Sequence, residues 1–307
     1  MLWLAATAFA QDTAYLLEGS PEFEEGCLDN DDAGEEGSCE DRFYRFLSQS
    51  MAEQGFTFQR HGLMASPTLN HDEGLFVGAT LDTFPLSPPR SNLAGKEENT
   101  EFSPVLPRFE AAWRGAPGPT DAGLGLSVLP PVPVNGASAL IVGLDGGVAF
   151  GDGPLRGGLD AAFTYARARA PITATEEQYE SGDFENNLKA ETYEAVCVPA
   201  GGCVDTFTVA DTSVQLAVSY RIASWLTPWV RVGGALVQEK LYVMYDDTLW
   251  ALTGLQPQAS VGATSAPHER VFLGASAGVA RRGEAITMDG EEPGRFFKLT
   301  GTAGYRF

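Results

Sequence analysis

The stretch that most constrains this chain is its last thirteen residues, RFFKLTGTAGYRF, from Arg295 to Phe307. Phe297, Leu299, Gly301, Ala303, Tyr305 and Phe307 fall on one side of an extended strand, and Lys298, Thr300, Thr302, Gly304 and Arg306 on the other. Period two with one apolar and one polar face is the signature of a half-buried β-strand. The same alternation starts near residue 74 and persists. Leu75, Val77, Ala79 and Leu81 alternate with Gly78, Thr80 and Asp82. Comparable runs lie around 105–114, 123–128, 140–148, 156–165, 211–221, 230–236, 255–261 and 271–279. With the terminal strand they predict a barrel of about ten strands, an all-β antiparallel fold over 74–307; recruiting 57–66 (TFQRHGLMAS) would give twelve.

An amphipathic last strand closing on Phe resembles the C-terminal strand of bacterial outer-membrane β-barrels. The resemblance implies that Phe307, with Tyr305, contributes to recognition by the barrel-assembly machinery. It further implies a Gram-negative outer-membrane location, with membrane lipid as a partner. No stretch of about 20 consecutive apolar residues occurs, so a membrane protein with this sequence has to be a barrel. The connections agree. Entering at residue 74 from the periplasm, the outer connections are 83–103, 130–138, 171–205, 244–250 and 282–293, and the inner ones 115–121, 151–154, 222–228 and 263–269. The two longest fall outside and all inner turns are short, as transmembrane barrels show. In SYRIASWLTPWVRVG, Tyr220, Trp225 and Trp229 are placed to flank an inner turn as an interface girdle, with Pro228 in the turn. Pro107 and Pro257 fall inside strands and call for a bulge or an unpaired position. A soluble barrel would show the same alternation with its apolar face inward. The terminal Phe, the loop asymmetry and the charged polar face favour the membrane.

The segment ahead of the barrel is different. Leu2 to Ala10 is a short apolar run ending in Ala8-Phe9-Ala10, which fits a signal-peptidase site, although a basic n-region is absent. Residues 1–10 are therefore expected to be a truncated, cleaved signal peptide. Residues 11–60 are expected to form an acidic disulfide loop and an amphipathic helix, with Phe43, Phe46, Leu47 and Met51 as its apolar stripe, lying at the periplasmic mouth or plugging the barrel. The four cysteines form two close pairs, Cys27 with Cys39 and Cys197 with Cys203, each in a segment that reads as loop. They lack the C-x2-C spacing of a zinc site and fit two loop-closing disulfides of an exported protein. Asp29, Asp31, Gly34 and Glu40 match positions of a calcium loop, but Ala33 stands where a ligand oxygen belongs, so a solvated acidic loop is the better reading and no cofactor is expected.

The net charge of −21 excludes the basic surface that nucleic-acid binding needs. The polar face of the strands would line the lumen with Arg108, Glu110, Arg114, Asp145, Arg156, Asp160, Asp211, Gln215, Arg221, Arg231, Lys298 and Arg306. In a barrel this narrow such charges compensate one another across the interior or line a slender solute path. Ten-stranded outer-membrane proteases are similar in size, but they use a histidine at the outer rim. Here His61 precedes the barrel, and His71 and His268 lie on the periplasmic side. No nucleophile-elbow, Walker or H-E-x-x-H motif is present, and the expected role is non-enzymatic. Three readings stand, in this order: a structural or surface-interaction barrel, a narrow porin or small-solute transporter with an N-terminal plug, and third an outer-membrane enzyme.

Overall fold

The computed structural model describes residues 59, 63–69, 71–83, 106–115, 120–131, 138–151, 153–170, 187–244, 248–281 and 295–307. Ten antiparallel strands close on themselves: β1 (Gly74–Thr83), β2 (Leu106–Gly115), β3 (Asp121–Leu129), β4 (Ser138–Phe150), β5 (Leu155–Ala170), β6 (Asp205–Tyr220), β7 (Leu226–Val243), β8 (Thr248–His268), β9 (Val271–Arg281) and β10 (Arg295–Arg306). Each strand pairs with its sequence neighbour, and β1 pairs with β10 from Phe76↔Arg306 to Thr83↔Leu299, which closes the cylinder and leaves no edge. The final residue is held in this seam: the Phe307 amide donates to the Leu75 carbonyl at 2.9 Å.

The alternation seen in the sequence becomes two faces of one wall. Leu75, Phe109, Trp113, Leu124, Leu159, Leu216, Val230, Val261, Leu273 and Leu299 point outward and are exposed, Leu124 at 65%. Arg108, Glu110, Asp211, Arg231 and Lys298 point inward and are buried. An aqueous barrel would invert this, because exposing a belt of large aliphatic and aromatic side chains to water all round the wall is unfavourable by about 1.5–3 kcal/mol per side chain. No helix among the described residues is long and apolar enough to cross a membrane; the crossing element here is the strand, whose backbone pairs with a neighbour on each side through the closed part of the wall.

The two ends differ. One end carries the short connections 116–120, 151–154, 221–225 and 269–270, together with the start of β1 and Phe307. The other carries 84–105, 130–137, 171–204, 244–247 and 282–294. The wall is also uneven in height: β5 to β8 run 16, 16, 18 and 21 residues, whereas β1 to β3 run 10, 10 and 9.

Three local expectations are corrected. Trp229 is not part of an outer girdle: it faces the lumen at 2% exposure, while Tyr220 and Trp225 are exposed as expected. Pro228 lies inside β7, paired with Ala263, because β7 begins at Leu226 and β8 continues to His268, shortening the turn between β8 and β9 to 269–270. The connection between β5 and β6 is not all loop. It contains α1 (Asn187–Ala200), closed by Gly201 in the left-handed region (φ 77°), whose amide donates to the Val198 carbonyl at 3.1 Å, as glycine does after a helix end. Cys197 near the end of α1 is bonded to Cys203, as expected. The Cys27 and Cys39 pair, the amphipathic stretch 40–54 and the calcium-loop positions Asp29, Asp31 and Glu40 lie outside the described residues, as does His61.

Candidate functional site: the barrel interior

The interior is occupied. Residues 63–69, immediately ahead of β1, are all buried and cross the lumen near the short-turn end. Their sequence, LMASPTL, suits a buried crossing. Its small or apolar side chains fit between the wall residues, and its backbone polar groups are met by the wall. Arg114 Nη2 donates to the Leu63 carbonyl at 3.1 Å and also to the Met64 carbonyl. Arg156 Nη1 donates to the Pro67 carbonyl at 3.2 Å, the Ser219 hydroxyl donates to the Thr68 carbonyl, and Thr264 Oγ1 donates to the Leu69 carbonyl at 2.7 Å. The Ser66 hydroxyl donates to Asp160 Oδ2 at 2.9 Å. Strand β2 therefore holds the crossing at Leu63 and Met64, β5 at Ser66 and Pro67, β6 at Thr68 and β8 at Leu69. Apolar contacts complete it. Met64 and Ala65 pack with Phe76, Ala112 and Phe272, and Leu63 and Leu69 pack with Trp229. The wall makes room with glycine: a Cβ at Gly123 would meet the Ala65 carbonyl, and one at Gly158 would meet the Thr68 hydroxyl.

Gln59 sits further toward the long-loop end and is the centre of a second set of contacts. Its amide donates to Gln256 Oε1 at 2.6 Å and accepts from Gln258 Nε2 at 2.6 Å, and Gln258 in turn accepts from Gln215 at 3.1 Å. Its carbonyl accepts from Lys298 Nζ at 2.5 Å and Arg108 Nη2 at 3.1 Å. Both cations also reach Asp82: Arg108 forms an ion pair with it and Lys298 Nζ lies 3.4 Å from Oδ1. Thr300 adds a hydrogen bond to Asp82 Oδ1 at 2.7 Å. A buried carboxylate between two cations and a hydroxyl is the compensated arrangement that low-dielectric burial requires.

Most of the lumen residues expected from the sequence are found on the inner wall, but they do not form one site. Arg108 and Lys298 belong to the Gln59 group, whereas Arg114, Arg156, Asp160 and Arg231 belong to the crossing, Arg231 lying 3.4 Å from Asp160. Arg156 also pairs with Asp121. Gln215 joins the Gln59 group through Gln258, and Glu110, Asp145 and Asp211 stand on other inward positions. Arg306 is at the rim, 3.0 Å from Asp72. Arg221 lies past the end of β6, in the turn, where partial burial lowers its guanidinium pKa. The sequence reading put Asp82 on the polar face of its strand without counting it among the lumen charges, and it missed Asp121 and Glu239 as inward charges. It also missed the crossing itself: 57–66 read as a candidate strand, although LMASPTL has no alternation and contains Pro67 and Thr68. Nor is the inner face uniformly polar, since Ile141, Phe207, Val209, Val237 and Leu241 are inward and buried. Those on β6 and β7 occupy the tall part of the wall, where the outward partners turn polar at Thr206, Thr208, Gln238 and Lys240. The inner face there mixes these apolar side chains with the buried Asp205 and Glu239, while the outer face turns polar, the pattern expected of wall that stands above the lipid.

Among the described residues no group of His, Cys, Asp and Glu is arranged to hold a metal. No family model and no curated protein matches the chain. Among solved structures it is similar to the translocator domain of the autotransporter NalP from Neisseria meningitidis, at 14% identity and a TM-score of 0.45, over 84% of this chain and 98% of that one. It is also similar to Ail, the attachment invasion locus protein of Yersinia pestis, at 11% identity and 0.32 over 77% of this chain and all (100%) of that one. The P. putida toluene transporter TodX aligns at 8% identity and 0.31, over 77% and 91% of the two chains. Scores this low assign neither family nor role. The closed even-stranded wall, the outward apolar belt, and short turns at one end with long loops at the other make the chain a transmembrane β-barrel of the outer-membrane type.

Proposed function

We propose that this chain is an outer-membrane barrel of a Gram-negative envelope with a closed lumen, serving a structural or surface-interaction role through its outer end rather than catalysis or solute passage. The observation that carries this reading is the buried crossing of residues 63–69, held by Arg114, Arg156, Ser219 and Thr264 from four strands. Each of these wall donors loses its carbonyl partner if the segment withdraws, at about 1–3 kcal/mol per buried group, so the segment is costly to displace. The long-loop end, with α1 and the Cys197–Cys203 disulfide, is the part that a partner outside the membrane would meet.

The second reading, a narrow solute path gated by this same segment, is separated by conductance. The full-length protein is reconstituted in a planar bilayer beside a variant lacking residues 59–69. The closed-lumen reading expects a silent full-length barrel. Reproducible single-channel steps from the full-length protein would establish transport instead. Membrane insertion itself is read by detergent partitioning and a heat-modifiable, faster-migrating folded form on gels.

A further inference from the structure

The chain carries 41 acidic residues against 20 basic ones. Among the described residues, the outward-pointing strand positions include no Asp or Glu at all, while the inward positions include Asp82, Glu110, Asp145, Asp160, Asp211 and Glu239. The charged side chains that do point outward are basic, and all stand toward the long-loop end: Arg167 and Arg169 on β5, Lys240 on β7 and Arg281 on β9. In so acidic a chain, a wall that shows only cations, and only at one height, has a sign opposite to that of the whole molecule.

Register places three of them together. Arg167 pairs with Thr208, and Thr208 pairs with Lys240, so the two cations share one cross-strand row with a threonine between them. Arg169 is in the next outward row, with Thr206 and Tyr242. Two strand spacings separate Arg167 from Lys240 by about 9–10 Å, and two residues along a strand separate Arg167 from Arg169 by about 6.6 Å. All three side chains are exposed. Two rows toward the short-turn end lie Phe163, Leu236 and Leu255, outward and exposed in the apolar belt. That offset is about 13 Å along the strands and about 10 Å along the barrel axis after tilt, which puts the cations beside the headgroup layer that borders the hydrocarbon core. The exchange of face character on β6 and β7, with Val209, Val237 and Leu241 inward, marks the same height independently.

We infer that the outward face of β5 to β7 at the long-loop end binds the phosphate groups of an anionic lipid of the outer leaflet, with Arg167, Arg169 and Lys240 as its ligands and Thr206 and Thr208 between them. This rests on the outer-membrane reading above. The occupant is a membrane lipid because the site is continuous with the acyl-facing belt below it. A phosphate-bearing headgroup fits because guanidinium groups take phosphate oxygens through two parallel N–H donors, and a lysine two strands away adds a point charge. The acyl chains of the same molecule would lie along Phe163, Leu236 and Leu255.

The test uses the full-length protein in neutral detergent, after detergent partitioning and heat-modifiable migration have established membrane insertion. Binding is measured for a bisphosphorylated, acylated glucosamine disaccharide (lipid A), for its dephosphorylated form, and for inorganic phosphate. The expected result is retention of the bisphosphorylated lipid at least tenfold tighter than of the dephosphorylated one, and loss of that preference in the triple variant R167A/R169A/K240A. Equal binding of the two lipids by the wild-type protein overturns the proposal, and this comparison holds even if the triple variant fails to fold. A folded triple variant that keeps the preference overturns it also. Inorganic phosphate competing as well as the lipid shows a free-anion site and overturns the lipid assignment. A protein that never partitions into detergent removes the outer-membrane reading itself, whereas one that inserts but shows no phosphate preference removes only the lipid site.

Discussion

Arg108 and Asp82 form an ion pair inside the barrel wall, each side chain 1% exposed, and Lys298 shares the same carboxylate. One buried carboxylate thus serves two buried cations, from the β2 and β10 strands that flank β1. Asp82→Ala would take this counter-ion from both cations and is expected to lower stability by about 3–5 kcal/mol. Arg108→Met should cost less, because Asp82 keeps Lys298. The denaturant midpoint of the heat-modifiable form, measured for both variants, checks the order.

Arg114 holds the Leu63 and Met64 carbonyls and lies over the Phe76 ring, 4.6 Å from its centroid. Arg114→Ala leaves two buried carbonyls without a donor, at about 3 kcal/mol together. Hydrogen exchange should show the loss first at the amides of 63–69 and only later in the strands. Simultaneous loss of protection in both would mean that the segment is not a separately held unit.

The wall gives way to the crossing at Gly123. A Cβ there meets the Ala65 carbonyl, whereas one at Gly301, on the outward face, meets nothing within 4 Å. Gly123→Ala should destabilise by about 1–3 kcal/mol through overpacking. Gly301→Ala should change stability by less than about 0.5 kcal/mol. Thermal unfolding in detergent compares them directly.

Trp113 and Trp225 are outward and exposed, while Trp229 is in the lumen with Arg231 5.4 Å from its ring centroid. In single-tryptophan proteins reconstituted with brominated lipid, the first two should be quenched and Trp229 spared. Quenching of Trp229 to the same degree would contradict its inward placement.

The Cys197–Cys203 bond closes a short loop at the end of α1. On a loop-entropy basis it contributes about 2 kcal/mol, locally. Replacing both cysteines with serine should speed protease cleavage within 187–204 on intact vesicles and leave the barrel's unfolding midpoint unchanged.

The wall was legible in the sequence because period two is a strong signal and each strand turns one face to lipid: Leu216, Val218 and Tyr220 could only stand opposite Gln215 and Ser219. Strand ends were less legible. Pro228 looked like a turn residue, and only the pairing Pro228↔Ala263 shows it inside β7, which moves Trp229 to the inner face. The tall ends of β6 and β7 lay outside the runs 211–221 and 230–236 read from the sequence, since Phe207 and Leu241 are apolar and inward there and break the apolar-out pattern. The interior was legible by residue type but not by partner. Nothing local in Arg114 or Arg156 says that its donors meet the backbone of 63–69, because those contacts span 89 positions from Pro67 to Arg156 and 50 from Met64 to Arg114.

The crossing is joined to β1 through 70–73, and β1 is also one side of the seam that shuts the cylinder against β10. The carbonyls of the crossing are met by donors from β2, β5, β6 and β8, so its contacts are complete only once those strands stand around it. Chain order puts the crossing ahead of β1 and β10 at the end, and the expectation is that residues 63–69 are laid against the sheet before the β1–β10 seam closes. Substitutions that weaken the crossing should then register as slow or failed closure of the β1–β10 seam during insertion, before any effect on the finished protein can be measured.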